Sequence, residues 1–486
     1  MRTHTQASTR SWHWIVRMLL RSTALGALLL VPLLPLAGQD EQGNVSAVQA
    51  GVTAAPEYSG PAVLSRANQP VIGQFAFASI QPFFSVNQFY ETGPNAALSG
   101  GTPNGSMGLA LALGLTGTHH WKLYGKNVIL SVHAEGEYQR YSRQSTILST
   151  NQLLDLTAVV PLQHHLTISF RETAGTTRQD FGTLLLQPQF QATSTPVPSN
   201  EPFNTPVKFV NSMCTIVYHK SPRLSFSASV DESLMRGSFG AGVDESLLQG
   251  QSSSLVGTNS TAVKGDVNYQ LTPRTTVGLD YAFDHYGYTT FGSGDFNVAS
   301  LDYSWRVTRT VEVAVQVGAA HGTVRSLSLV PIDPQIAALL GVTAAVSLSD
   351  QVVNTPSYSA RLMKSWRHAS ADLDYQKSVS PGNGLVLAST IETATGGFRY
   401  TVRNGWALSL QGGWAALSAL SSTTSKYSSY TANVIISHAI RPGLQTVATF
   451  GARPFTYVGP AAPNRTYYIA QIGLMFSPRP LPIVLR

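Results

Sequence analysis

Few residues in this 486-residue chain have the types and spacing that catalysis needs. Ser131 and His133 are separated by one residue, and in an extended strand this places them about 7 Å apart, too far for a nucleophile to share a direct hydrogen bond with its base. Asp372 and Asp374 offer two carboxylates to a hard cation, but a lone D-x-D lacks the further oxygen ligands of such a site. Partners on neighbouring strands are left open, and the sequence otherwise predicts neither an enzyme nor a bound cofactor.

Two histidine pairs, His119–His120 and His164–His165, are the remaining candidates for a metal site. Both pairs lie where short turns are predicted, and neither has a cysteine or carboxylate at metal-ligand spacing. Cys214 is the only cysteine, so no intrachain disulfide can form. We therefore expect solvated turn histidines and no metal site.

Period-two alternation is the strongest pattern around Ser131 and His133. In residues 127–142, NVILSVHAEGEYQRYS, every second position is apolar and the positions between them carry Ser, His, Glu and Gln. Successive side chains leave a strand on opposite faces, so this pattern predicts a β-strand with one apolar and one polar face. The same alternation recurs from about residue 75 onward, most clearly at 263–270, 276–286, 298–305, 371–379, 406–414, 430–438 and 467–476.

The connections between these strands alternate in length. Short ones fall at 161–165, 219–223, 271–275, 306–310, 402–405 and 439–443, and long ones near 174–207, 231–259, 320–355 and 417–427. Short turns that alternate with long loops are typical of outer-membrane barrels, and pairing every strand in this way gives about eighteen strands. We predict an all-β fold, a transmembrane antiparallel up-and-down β-barrel of about 18 strands.

Composition agrees with a barrel and argues against nucleic-acid binding. Charged residues make up 12% of the chain, against about 25% in an average globular protein. The net charge is +7, but the Lys and Arg residues are scattered singly and form no basic run. A nucleic-acid partner is therefore not expected.

The N-terminal region predicts export. Basic residues precede the short apolar run ALGALLLVPLLPLAG at 24–38, which is typical of a cleaved secretory signal peptide over 1–38. An uncleaved anchor helix is the alternative. Residues 39–74 are expected to form a flexible periplasmic segment, residues 75–476 the outer-membrane β-barrel, and residues 477–486 a C-terminal tail.

Aromatic residues are predicted at both ends of the strands, where lipid headgroups would lie. Those beside short turns are Trp121, Tyr269, Trp305, Trp366, Trp406 and Phe476, and those near long loops are Tyr138, Phe283, Trp414 and Tyr430. With these girdles the chain resembles the large, porin-like outer-membrane β-barrels of Gram-negative-type bacteria over nearly its whole length after residue 75. The segment SGPAVLSRA, Ser59–Ala67, is similar to one in uncharacterised acidobacterial barrels.

The resemblance implies contacts with outer-membrane lipids and with the barrel-assembly machinery, and it leaves a homo-oligomer open. One feature departs from the family pattern. Such barrels end on an aromatic residue that the assembly machinery reads, whereas here Phe476 is followed by SPRPLPIVLR.

The polar face of the strands is expected to line a water-filled pore, because about eighteen strands leave an aqueous interior. Strand alternation places on it Glu135, Glu137, Asp155, Asp266, Asp280, Asp284, Asp302, Glu312, Asp372 and Asp374, together with Arg361, Arg399, Arg171 and Lys264. We expect Glu135 and Glu137 to be hydrated without a protein partner. Acids outnumber bases in this set, which predicts a weak preference for cations, with screened charges that select nothing as the alternative.

The long connection at 320–355 contains a predicted short helix, in which Asp333 is the N-cap, Pro334 the first helical residue and Gly341 the stop. It could constrict the pore or pack against a neighbouring surface. The leading functional prediction is passive diffusion of small polar solutes. The alternative is an outer-membrane component of polysaccharide export or envelope assembly.

Overall fold

The computed structural model describes residues 78–92, 105–123, 126–142, 148–178, 206–237, 257–288, 292–331, 344–382, 387–402, 405–420, 426–458, 465–478 and 481–483. The predicted signal peptide, the 39–74 segment and the helix predicted at Asp333 lie outside these residues. Within the described ranges, no helix is long and apolar enough to cross a membrane.

Eighteen long strands follow one another along the chain. They are β1 Ala78–Thr92, β2 Gly105–Leu123, β3 Lys126–Tyr141, β4 Leu148–Gln163, β5 Leu166–Arg178, β6 Pro206–His219, β7 Leu224–Gly237, β8 Thr258–Thr272, β9 Thr275–Tyr288, β10 Ser293–Arg306, β11 Val311–Pro331, β12 Ala344–Ser365, β13 Ala369–Gly382, β14 Leu387–Thr401, β15 Trp406–Ala419, β16 Lys426–Arg441, β17 Leu444–Val458 and β18 Arg465–Phe476. A three-residue strand, β19 Leu481–Ile483, follows them.

Antiparallel pairing closes these strands into a barrel. Each strand pairs with the next one along the chain, from β1 with β2 to β17 with β18. The ring is completed by β1 and β18, which are in register from Phe84 opposite Phe476 to Glu91 opposite Ile469. All eighteen strands belong to one compact unit, Ala47–Pro482. The predicted fold, an antiparallel up-and-down barrel of about eighteen strands, is confirmed.

The two faces of the wall differ in chemistry and in exposure. On β9 the side chains of Leu279 and Tyr281 are 61% and 53% exposed, whereas the inward Thr276 is 1% exposed. Side chains diverge on the convex outside of a cylinder and converge on its concave inside, so the exposed apolar face is the outer one. Alternation along each strand then assigns every other residue to the inner face.

Aromatic residues occupy both ends of the outer face, as predicted for several positions. The end with the tight turns, such as His164–His165, is called the short-turn end here, and the opposite end is called the long-loop end. Large exposed rings lie at the short-turn end at Tyr269, Trp305, Trp366, Trp406 and Phe476, and at the long-loop end at Tyr138, Phe283 and Tyr430. Trp414 is half-buried, and the side chain of Trp121 lies outside the described part.

Three predicted loops are partly strand. The connections predicted at 174–207 and 231–259 are shortened by β5, which runs to Arg178, and by β7, which runs to Gly237. In the connection predicted at 320–355, β11 continues to Pro331 and β12 starts at Ala344. The prediction was wrong there because small and polar residues that suggest loops also suit strands that extend above a membrane into water.

The β11–β12 hairpin extends past its neighbours. The pairing of β11 with β10 stops at Arg325, which lies opposite Ser293. The Arg325 Nε and Nη2 atoms donate hydrogen bonds of 2.7 and 3.0 Å to the Asp350 carboxylate on the outer face. Arg325 follows Val311, the start of β11, by fourteen residues, and about ten residues cross a bilayer, so this pair lies outside the membrane-spanning part. Its hydrogen bonds to Arg325 lower the pKa of Asp350.

The chain after Phe476 folds back onto β1. The Gln81 Nε2 atom donates hydrogen bonds of 2.8 Å to the Ser477 hydroxyl and 3.1 Å to the Pro478 carbonyl. The last barrel strand therefore ends at Phe476, as predicted, although the chain continues beyond it.

Candidate functional site in the barrel interior

The inner wall carries the residues that the sequence singled out. By alternation along their strands, all of the charged residues predicted to face the pore occupy inward positions. These are Glu135, Glu137, Asp155, Asp266, Asp280, Asp284, Asp302, Glu312, Asp372, Asp374, Arg361, Arg399, Arg171 and Lys264. The structure divides them among three groups on neighbouring strands, which differ in how completely the charges are paired.

The first group lies on β3, β4 and β5 and is well partnered. Arg171 donates two hydrogen bonds to Asp155 Oδ2, from Nε at 3.1 Å and from Nη2 at 2.7 Å. Gln139 Nε2 donates to Glu137 Oε1 at 3.2 Å, and His133 Nε2 lies 3.5 Å from Glu135 Oε2. The expectation that Glu135 and Glu137 have no protein partner was wrong, because long side chains two residues apart lie on one face of a strand and can reach each other.

The second group, called the acidic sector here, occupies the inner face of β7–β10. It contains five aspartates, Asp231, Asp266, Asp280, Asp284 and Asp302, and one lysine, Lys264, while the inward Arg306 at the end of β10 pairs with Glu312 on β11. Lys264 interacts electrostatically with Asp231 and Asp284. Asp266 accepts hydrogen bonds from Ser227 and Asn268, and Asp280 Oδ2 accepts one of 3.0 Å from Gln316 Nε2. Asp302 interacts electrostatically with Asp280 and Asp266.

The third group, on β10–β14, pairs most of its charges. Arg306 Nε donates to Glu312 Oε1 at 2.8 Å, and Arg361 Nε lies 3.2 Å from Asp374 Oδ1. Arg399 interacts with Asp372 across the β13–β14 pair. Asp372 and Asp374 therefore face two arginines, and this explains the D-x-D spacing without a cation.

The rest of the inner wall is mostly neutral. On β15–β18, β1 and β2 the inward side chains are largely Ser, Thr, Asn, Gln, Gly and Ala. Two charges stand out there: Arg453 is largely buried on β17, and Glu91 on β1 accepts a 2.9 Å hydrogen bond from the Tyr141 hydroxyl. The described interior is thus charged along β3–β14 and nearly neutral elsewhere.

An apolar cluster interrupts the polar inner wall near the long-loop end. Tyr286, Phe296, Ala320 and Val324 point inward from β9, β10 and β11, and they pack with Val379 and Ala388 from the β13–β14 hairpin. Four strands separate β9 from β14, a path of about 24 Å along the wall. The Ala388 amide nevertheless donates a 2.7 Å hydrogen bond to the Tyr288 hydroxyl, so the hairpin tip leans across the interior.

Strand pairing shows where the hairpin leaves the wall. Within the described residues, β13 pairs with β12 from Lys377, opposite Tyr358, down to Ser370. Beyond Lys377, β13 pairs with β14 as far as Gly382 opposite Leu387. On the other side of the hairpin, β14 stays paired with β15 as far as Ser389 opposite Ala419, and the Leu420 amide donates a 2.8 Å hydrogen bond to the Ala388 carbonyl. Only the β13 side of the hairpin therefore separates from the neighbouring strand.

Sequence reasoning missed four inward residues of this site: Asp231, Glu91, Arg453 and Arg306. Asp231 opens the sequence DESLMRG, which suggested a loop, but it continues the inward series Ser225, Ser227 and Ser229 on β7. That serine series is a signal from which Asp231 could have been found. Among the described residues, no three His, Cys, Asp or Glu side chains form a group suited to a metal ion.

The strand number, closure and two-faced wall together decide the architecture. The chain is a closed antiparallel β-barrel of eighteen long strands. Its sequence matches no protein-family model and no curated protein. Among solved structures it is similar to outer-membrane proteins, at TM-scores below 0.5, so the architecture rests on the strand pairing of this chain.

Three of these structures illustrate the similarity. OccAB4 of Acinetobacter baumannii is 12% identical, with a TM-score of 0.40 over 83% of this chain and 98% of that chain. OpdQ of Pseudomonas aeruginosa is 11% identical, with a TM-score of 0.40 over 84% and 98% of the two chains. OccK2 (OpdF) of Pseudomonas aeruginosa in complex with glucuronate is 10% identical, with a TM-score of 0.39 over 83% and 98%.

Proposed function

We propose that this protein is a bacterial outer-membrane channel through which small polar solutes diffuse, with a weak preference for cations. The acidic sector carries the proposal: its five inward aspartates face Lys264, while Arg306 at the end of β10 is paired with Glu312. A wall of one charge sign raises the local concentration of counter-ions and disfavours ions of the same sign. The charged groups on β3–β5 and β10–β14 are largely paired, so they contribute less to selectivity.

Two features of the barrel support a channel in a membrane. Eighteen strands enclose an aqueous interior, whereas eight would be filled by side chains. The outer face is apolar between aromatic ends, as lipid requires. The proposal includes export through a signal peptide at 1–38, folding by the barrel-assembly machinery, and no catalytic role.

The reversal potential under a salt gradient tests the proposal. The variant Glu135→Gln, Glu137→Gln, Asp280→Asn and Asp284→Asn keeps shape and polarity but removes four inward charges. At 0.01 M salt, where screening reaches about 30 Å, its cation preference should fall strongly. At 1 M salt, where screening reaches about 3 Å, conductance should change little.

A matched control removes four carboxylates from the outer face: Glu172→Gln, Glu232→Gln, Asp295→Asn and Asp350→Asn. It changes the net charge by the same amount and should leave the reversal potential near that of the unmodified protein. Equal shifts in both variants would show that inward position does not matter. A folded protein that never conducts in planar bilayers would contradict the channel and favour the alternative of polysaccharide export or envelope assembly.

A further inference from the structure

Three aspartates of the acidic sector meet on adjacent strands. Asp266 on β8 lies directly opposite Asp280 on β9 in the strand register. Asp302 on β10 lies opposite Gly278, the inward residue next to Asp280 on β9, and it interacts electrostatically with both Asp280 and Asp266. Carboxylates this close repel one another unless a cation or a proton lies among them.

A buried acceptor points into the space beside these carboxylates. Asn268 is 8% exposed, and its Nδ2 atom donates a 2.7 Å hydrogen bond to Asp266 Oδ2. That bond fixes the orientation of the amide, so the Oδ1 atom turns toward Gly278, and within the described chain Oδ1 has no hydrogen-bond partner.

Gly278 allows Asn268 and Asp302 to approach the backbone of β9 closely. A Cβ atom placed on Gly278 would lie 2.4 Å from Asn268 Oδ1 and 3.3 Å from the Cβ of Asp302. Two hydroxyls stand next to it toward the short-turn end, Thr276 and Ser304, which are opposite each other in register. Both are almost fully buried, and neither oxygen has a hydrogen-bond partner in the part of the chain that the structure describes.

We propose that the acceptors of Asp280, Asp302 and Asn268 Oδ1, together called the cradle here, bind the primary ammonium group of a small organic solute. The inference rests on the proposed function, because the solute reaches the cradle through the barrel interior. An ammonium group has three N–H donors and no acceptor, so it is satisfied by acceptors that converge from different directions. Here Asp280, Asp302 and Asn268 Oδ1 supply them from three neighbouring strands, while Lys264 interacts with Asp231 and Asp284 instead.

The test uses methylammonium and tetramethylammonium as probes in planar bilayers. Both carry one positive charge, but only methylammonium has N–H donors. Methylammonium should reduce the K⁺ current through the unmodified channel in a saturable way, and tetramethylammonium should not. Gly278→Ala places a methyl group against Asn268 Oδ1 and displaces this acceptor without changing charge, so it should weaken the methylammonium block about tenfold, because charge-assisted hydrogen bonds are lost.

Two further variants control for folding and charge. Gly265 lies on the outer face of β8, where an added Cβ would come no closer than 4.0 Å to the nearest atom. Methylammonium should therefore block the Gly265→Ala channel as strongly as it blocks the unmodified channel. Asp302→Asn keeps the shape of the side chain and should also weaken the block. Asp302→Asn therefore tests the ammonium site independently if Gly278→Ala folds poorly.

The outcomes separate this inference from the channel itself. If both probes affect a cation-preferring channel equally, the ammonium site is overturned while the proposed function stands. The same holds if Gly278→Ala leaves the methylammonium block unchanged. If Ca²⁺ or Mg²⁺ at equal concentration abolishes the methylammonium block, the site binds inorganic cations, and the ammonium site is also overturned. A folded protein without conductance overturns both.

Discussion

At the scale of single residues, strand alternation predicted which charges point inward, and it did not predict their partners. Glu137 lies at an inward position of β3, and its hydrogen bond from Gln139 depends on the conformations of two long side chains, which alternation does not specify. The pairing of Arg171 with Asp155 depends on the register between β4 and β5, which a single sequence does not fix. The cradle at Gly278 depends in the same way on three strands in register.

Glycines on the inner wall provide a residue-scale prediction. A Cβ on Gly318 would lie 2.3 Å from the Ala299 carbonyl oxygen and 2.6 Å from the Ser300 Cβ, so Gly318→Ala should lower the free energy of unfolding by about 1 to 3 kcal/mol. Gly136 on the outer face has no atom within 4 Å of an added Cβ, so Gly136→Ala should change it by less than about 0.5 kcal/mol. Urea unfolding in detergent measures both, and equal effects would contradict the close approach of β10 and β11.

At the scale of elements, strands were predicted better than hairpins. Alternation identified strand cores such as 276–286 because each strand has one lipid-facing and one water-facing side. The inward lean of the β13–β14 hairpin was not predicted, since it depends on contacts between strands that are distant along the wall. A signal was present: Tyr286 and Phe296 are large apolar residues at positions where alternation expects polar ones.

The hydrogen bond from Ala388 to Tyr288 supports an element-scale prediction. Tyr288→Phe removes the acceptor of the Ala388 amide, so the hairpin tip should move more and the open-channel current should become noisier. Tyr281→Phe is the matched control, because it removes a 2.6 Å hydrogen bond to Asn297 on the outer face, far from the hairpin. Single-channel recordings at high salt compare the variants, and equal noise in both would mean that Tyr288 does not hold the tip.

At the scale of the whole molecule, closure turns a weak local pattern into a definite architecture. Each strand pattern alone fits a soluble sandwich as well as a barrel, but the pairing of β1 with β18 leaves no sheet edge. A closed ring then separates an apolar outside from a polar inside, and this separation is what a bilayer requires. The number of strands followed from counting alternating segments and turn lengths, both of which are local features.

The last prediction tests the orientation of the wall as a whole. Leu279 is 61% exposed on the outer face, and its chain neighbour Asp280 points inward. Leu279→Arg should destabilise the folded barrel by about 2 to 4 kcal/mol if it lies at mid-membrane, because a charge then faces lipid, whereas Asp280→Arg faces water and should still assemble. The fraction of protein with heat-modifiable mobility after refolding into lipid vesicles measures assembly. If both variants assembled equally well, the outer face would not lie against lipid. If the unmodified protein were water-soluble after removal of the signal peptide, a membrane barrel would be excluded.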